Sequence, residues 1–177
     1  MPRLFTALQL PDMVRTHLSL VRGEIGGARW MAADNLHVTL RFFGDVSDEI
    51  ADEIAAGLEE MEFTPITLTI AGTGAFGGGS ETAIYATVLE TPELVALQKA
   101  HERLARAVGL GAPEYGFKPH ITLARARHPR PSLVARFLAE TGALKIAPFE
   151  VSEFALLSSR PGRGGGPYAT ELVVGLG

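Results

Sequence analysis

Alternation of apolar and polar positions marks several strands along the chain. Arg3 to Leu10 reads as a strand, followed by Pro11-Asp12, which opens a short helix carrying Val14, Leu18 and Val21. Gly26-Gly27 is a turn signal. Arg29–Met31 and Leu36–Phe43 then read as strands, the second with regular period-two alternation. Ser47 caps a helix whose apolar stripe is Ile50, Ile54 and Leu58, with Asp48 and Glu49 in its first turn to complement the helix dipole. Pro65–Ala71 and Ala83–Leu89 are predicted strands on either side of a glycine-rich connection. Thr91-Pro92 starts a longer helix, buried through Leu94, Leu97, Leu104 and Val108 and ended by Gly109. A strand near His120, a helix over about Ser132–Glu140, and strands near Phe149–Leu157 and Tyr168–Val174 complete the pattern. Strands and helices mix without regular βα alternation, so the expected class is α+β with antiparallel sheets.

The pattern repeats. His37-Val38-Thr39-Leu40 returns as His120-Ile121-Thr122-Leu123, an offset of 83 residues. The same offset carries Pro65 onto Pro148 and Tyr85-Ala86-Thr87 onto Tyr168-Ala169-Thr170, and sets the glycine-rich stretch 72–79 near 162–166. Coincidence among common residues does not account for several matches at one offset. The expectation is one bilobal domain over 1–177, built from duplicated units of roughly 28–90 and 111–177. Two antiparallel sheets, with helices packed outside, would face each other across a pseudo-two-fold cleft.

In a strand, residues i and i+2 share a face. His37 and Thr39 therefore point one way and Val38 and Leu40 the other, and His120 and Thr122 are set against Ile121 and Leu123 in the same manner. The apolar sides belong in the core, leaving both His/Thr sides to line the cleft. Two facing imidazoles suit concerted proton transfer, since histidine titrates near neutral pH and one ring can accept a proton while the other donates. Threonine hydroxyls can hydrogen-bond phosphoryl oxygens. This layout fits cleavage of a small cyclic or terminal phosphodiester without a metal. Two histidines with no carboxylate or third histidine in the motif make a poor metal-ligand set.

Composition narrows the classes. The 177 residues include no cysteine, which excludes disulfides, a thiol nucleophile and thiolate-bound metal clusters. The formal net charge of -4 argues against a nucleic-acid partner at face value. The charge is divided, however. Residues 45–62 hold eight acids and no base, while 103–163 hold ten bases and four acids around the second motif. An RNA contact limited to one end is therefore compatible with the acidic total. No apolar run reaches the ~18 residues of a membrane span and no signal peptide is legible, so a cytoplasmic protein with no membrane association is expected.

Longer matches extend the motifs: Arg29-Trp30-Met31, Asn35 through Gly44, Phe117 through Arg125, Leu156-Leu157-Ser158-Ser159 and Gly166-Pro167-Tyr168. Over nearly its whole length the chain resembles the RNA 2',3'-cyclic phosphodiesterase family (LigT-like, or 2'-5' RNA ligase), within the 2H phosphoesterase superfamily. The resemblance implies hydrolysis of RNA 3' ends bearing a 2',3'-cyclic phosphate, or of cyclic nucleotides, to the 2'-phosphate, with no cofactor; because both halves of the cleft come from one chain, a monomer is expected. It implies His37 as proton donor to the leaving 3' oxygen and His120 as proton acceptor from water. Thr39, Thr122 and Arg125 would bind phosphate, with Arg41 a weaker candidate. The motifs are nearly symmetric, so physics alone leaves the acid and base interchangeable. Reversible 2'-5' joining of RNA ends in the same cleft, and a non-catalytic nucleotide- or RNA-binding module, are the alternatives. One departure is Glu81-Thr82-Ala83-Ile84-Tyr85, where the family tends to carry an arginine and a tryptophan.

Other signals are weaker. Gly72–Gly77 fits G-x-G-x-x-G but precedes a strand rather than a helix, which fails the dinucleotide-binding context and predicts a mobile loop. His101 lies on an apolar helix stripe and is expected in the core, while His17 and His128 are expected to face solvent. Ser158-Ser159 with Arg160 and Arg163 can touch RNA or form a solvated turn, and Tyr115, Phe117 and Tyr168 can stack a base or pack.

Overall fold

The computed structural model describes residues 1–77, 79–159 and 167–177. Nine strands and four α-helices are present among them: β1 (Arg3–Gln9), α1 (Asp12–Ser19), β2 (Ala28–Trp30), β3 (His37–Asp45), α2 (Asp48–Glu59), β4 (Ile66–Gly77), β5 (Glu81–Val88), α3 (Pro92–Ala107), β6 (His120–Arg127), α4 (Pro131–Thr141), β7 (Lys145–Val151), β8 (Glu153–Ser159) and β9 (Ala169–Gly175). The predicted caps are in place. The Ser47 side chain accepts from the Ile50 amide at 3.3 Å, and Thr91 accepts from Leu94 at 3.2 Å with Pro92 in the first turn. Each satisfies one of the helix's orphan donors.

The strands form two antiparallel sheets, ordered β3-β1-β8-β9 and β2-β6-β5-β4-β7, as expected for the α+β class. Each sheet takes strands from both halves of the chain. β1 lies between β3 and β8, and β8 carries β9 on its other edge, while β6 pairs with β5, and β5 with β4. The predicted strand over Phe149–Leu157 is really two strands. β7 pairs with β4 in one sheet, and after Ser152 the chain crosses so that β8 pairs with β1 in the other. One apolar cluster, including Leu8, Val38, Leu40, Ile54, Leu68, Leu97, Ile121 and Phe154, runs beneath both sheets. Burying such side chains contributes roughly 1.5–3 kcal/mol each, so the sheets share their main core.

The stretch predicted to be a mobile glycine loop is strand instead, since β4 continues through Gly77. Its glycines allow this. Gly72 takes φ +81° where the pairing register shifts, a conformation L-residues rarely adopt. Gly74 lets the Tyr85 ring lie across it, because a Cβ there would stand 2.4 Å from the phenolic oxygen.

Both motif strands carry a β-bulge at the same motif position. On β3, Ala7 opposes Thr39 and Thr6 opposes Arg41, leaving Leu40 as the extra residue. On β6, Tyr85 opposes Thr122 and Ile84 opposes Ala124, leaving Leu123. A bulge reverses the facing of everything beyond it. Simple alternation would place Arg41 beside Thr39 and turn Arg125 away from Thr122. The bulges do the opposite.

Candidate active site

His37 and His120 begin β3 and β6, and each is anchored in the same way. The His37 Nδ1–H donates to the Asn35 carbonyl at 2.7 Å, and the His120 Nδ1–H donates to the Lys118 carbonyl at 2.6 Å. A carbonyl can only accept, so both rings are held in the tautomer whose Nε2 is bare when neutral. The Thr39 hydroxyl donates to His37 Nε2 at 3.0 Å.

Aromatic rings wall both imidazoles. Phe5 and Tyr168 lie 5.2 and 5.4 Å from the His37 ring, above an apolar patch of Phe5, Ala7, Ala155 and Leu157. Phe76 and Tyr85, stacked at 4.3 Å, present edges to His120 at 4.9 and 5.3 Å, and Lys118 Nζ stands 5.1 Å from the Phe76 ring. The offset pair Tyr85 and Tyr168 thus reaches the site from different sheets, one beside each histidine. Tyr168 packs edge-on against Phe5 and His37, whereas Tyr115 is exposed in the loop before β6.

Burial sets the electrostatics. His37 is pushed down to about 4, mainly by desolvation, opposed by its bond to Asn35 and reinforced by the charges of His120 and Arg125. His120 is lowered as well, first by desolvation, then by Arg125 and Lys118, against the Lys118 carbonyl bond. His37 therefore feels the charge of His120, and both rings feel Arg125.

Beyond the β6 bulge, Arg125 opposes Ala83, on the face of Tyr85 and Thr122, so it points toward the histidines. Its Nη1 donates to Glu81 Oε1 at 3.2 Å. The departure at residues 81–85 thus supplies a counter-ion to Arg125 and, in Tyr85, a wall for His120. Arg41 is not at the site. The β3 bulge turns it inward, where Nε pairs with Glu102 Oε2 of α3 at 2.7 Å and the other nitrogens donate to the Phe42 and Gly111 carbonyls. Sequence reasoning missed Phe5, Phe76, Tyr85, Lys118 and Glu81. Tyr85 was marked by its repeat partner Tyr168, and Lys118 by its place two residues before His120, but which of these residues faces a histidine depends on knowing the pairing.

The remaining histidines stand as expected: His101 is fully buried, and His17 and His128 are exposed. Ser158 lies in β8 and donates to Glu171 at 2.6 Å; Arg160 and Arg163 lie outside the described residues. Among the described residues no three His, Cys, Asp or Glu side chains group as a metal site, and no helix is long and apolar enough to cross a membrane.

Two histidine–threonine strands, each set in one of two antiparallel sheets and presenting a bare Nε2, define a two-histidine phosphoesterase-type fold. Residues 10–163 match the 2'-5' RNA ligase superfamily, and the chain belongs to that family. The chain is 30% identical to an RNA 2',3'-cyclic phosphodiesterase of Archaeoglobus fulgidus, over 89% of this chain and 90% of that one. It is 33% identical to an RNA 2',3'-cyclic phosphodiesterase of Aeropyrum pernix, over 77% and 80%. The fold superposes on Escherichia coli LigT complexed with 3'-AMP with a TM-score of 0.75 and 27% identity, covering 99% of each chain. A Thermus thermophilus structure gives 0.78 at 25% identity, covering 98% of this chain and 97% of that one.

Proposed function

We propose that this chain hydrolyses 2',3'-cyclic phosphate at RNA 3' ends to the 2'-phosphate, by proton transfer between His37 and His120 and without a metal. The observation that carries the reading is the matched pair of imidazoles, each tethered through Nδ1 with Nε2 left to exchange protons. The names of the relatives and the nucleotide bound by LigT support the substrate class.

His120, the less buried ring, takes a proton from water through its bare Nε2. The resulting hydroxide attacks phosphorus, and the P–O3' bond breaks. His37 Nε2–H donates to the departing O3', leaving a 3'-hydroxyl and a 2'-phosphate. In the free protein His37 is held neutral by burial and by Arg125. An anionic phosphate opposes both effects and favours the imidazolium, so the acid is charged by the substrate it serves. Thr39 and Thr122 hold phosphate oxygens, and Arg125 balances the charge that builds on them. Because each catalytic strand belongs to a different sheet, the whole chain acts as one unit, and one copy suffices.

The test is turnover of a 2',3'-cyclic nucleotide and of a cyclic-phosphate-ended oligoribonucleotide in EDTA, with His37→Ala and His120→Ala alongside. Each variant should lose about 10²–10⁴-fold, the usual share of a positioned acid or base. Wild-type turnover in both variants would refute the mechanism. Joined RNA ends as the main product would point to ligation, and tight binding without turnover to a binding module.

A further inference from the structure

The two histidines are tethered alike but do not sit beside the same charge. At the 83-residue offset of the repeat, Lys118 answers to Asn35. Their backbones act in the same way: the Asn35 carbonyl accepts Nδ1–H of His37 at 2.7 Å, and the Lys118 carbonyl accepts Nδ1–H of His120 at 2.6 Å. Their side chains differ, one a neutral amide and the other an ammonium.

The fold holds that ammonium near His120. Phe76 of β4 and Tyr85 of β5 stack at 4.3 Å, and Lys118 Nζ stands 5.1 Å from the Phe76 centroid and 5.6 Å from that of Tyr85. Aromatic faces attract a cation. Lys118 has no ion pair among the described residues. The same two rings meet His120 at 4.9 and 5.3 Å. Standing 5.1 Å and 4.9 Å from one ring centroid, the ammonium and the imidazole are at most about 10 Å apart.

The other groups around His120 do not separate the two rings. Burial is the first cause lowering each histidine, and the charge of Arg125, paired with Glu81, lowers both as well. Arg29 of β2 lies opposite Arg125, farther along the sheet from His120. Tyr85 is the titratable side chain that β5 sets against His120, and His37 is the one that acts on it from β3. Lys118 adds its charge to His120. Position 35 offers His37 no such charge.

Hydrolysis needs one proton placed unequally. It must be on His37, to be given to O3', and absent from His120, which takes one from water. Two nearly identical motifs supply no preference of their own. We propose that Lys118 is a positioning residue that breaks this symmetry: its ammonium, resting on the Phe76/Tyr85 stack, keeps the proton off His120 and on His37, and so fixes His120 as the base and His37 as the acid. This role rests on the proposed phosphodiesterase reading and names the group that sets its direction. After each turnover the proton is on His120, and the same ammonium favours its departure.

The experiment removes the charge with Lys118→Met, which keeps an apolar stem over the rings and leaves the backbone tether in place, and restores it with Lys118→Arg. NMR follows the titration of both imidazoles in the free full-length protein, with His37→Ala and His120→Ala assigning the signals. A unit charge about 10 Å away, across an effective dielectric of about 50, moves a titration midpoint by about half a pH unit. Lys118→Met should raise the His120 midpoint by about that much, with His37 moving less than about half as far, and Lys118→Arg should return it. For a 2',3'-cyclic nucleotide, kcat should fall about three-fold in Lys118→Met, the same half unit expressed as a ratio, with KM little changed. Lys118→Arg should recover it. An unmoved His120 midpoint, or equal shifts at both rings, would overturn the proposal. So would a raised KM with unchanged kcat, which would make Lys118 a phosphate contact. If none of the proteins turns over a cyclic phosphate, the phosphodiesterase reading fails, and the His120 titration still decides whether Lys118 biases the pair.

Discussion

The buried histidine that catalysis does not use should make the protein acid-sensitive in a defined window. His101 is fully buried on α3, donates Nδ1–H to the Leu97 carbonyl at 2.8 Å, and lies edge-on to Phe154 at 4.7 Å. Its Nε2 has no hydrogen-bond partner among the described residues. Desolvation pushes its pKa down to about 4 from 6.5. A depressed histidine favours the neutral ring in the folded state. Its contribution is therefore full above the unfolded value of 6.5 and is lost as pH falls toward 4, where the folded ring also charges. The whole shift is worth roughly 3 kcal/mol, and about 2 kcal/mol of it is lost between pH 7.5 and pH 5. The perturbation is His101→Leu, of similar volume, which should change stability at pH 7.5 by less than about 1.5 kcal/mol. Urea denaturation at both pH values measures the loss in each protein. Wild type should lose about 2 kcal/mol more than the variant on acidification. His37, shifted down through the same range, acts in both proteins and cancels in the comparison. Parallel stability curves for the two proteins would refute the argument.

Other substitutions probe the site's supports. Gly74→Val should displace Tyr85 from its stack on Phe76 and its edge contact with His120, costing about 1–3 kcal/mol of stability; turnover should fall with it, and unchanged kinetics would show that Tyr85 does not position His120. Arg41→Met leaves the largely buried Glu102 with Arg106 as its remaining partner and should destabilise by about 1–3 kcal/mol in a denaturant titration, with most of the loss recovered in Arg41→Met/Glu102→Leu. Glu81→Gln removes the counter-ion of Arg125 and should lower KM for a cyclic phosphate by up to about five-fold, the scale of an exposed ion pair, with kcat nearly unchanged.

Local structure was largely legible in the chain. Helix starts at Ser47 and Thr91 are read from side chains that reach only three residues along, and the His-x-Thr-Leu repeat identifies both motif strands because side-chain alternation is a property of a single strand. Those signals identify the α+β class and the four motif residues. They do not say which strands pair. That β8 joins β1 after the crossing at Ser152, and that β4 takes the glycine-rich stretch into a sheet, depends on which distant edge offers unpaired hydrogen-bonding groups and an apolar face to cover. The bulges at Leu40 and Leu123 are likewise invisible in one strand, since an extra residue is defined only against a partner. They bring Arg125 to the histidines and send Arg41 to Glu102. Residue type and short spacing were enough to single out the His37/Thr39 and His120/Thr122 pairs and their capacity for proton transfer, because these are properties of single strands. Which arginine shares the histidines' face and which aromatic rings wall each histidine came only from the tertiary structure, because facing and neighbourhood are set by pairing between segments far apart in the chain.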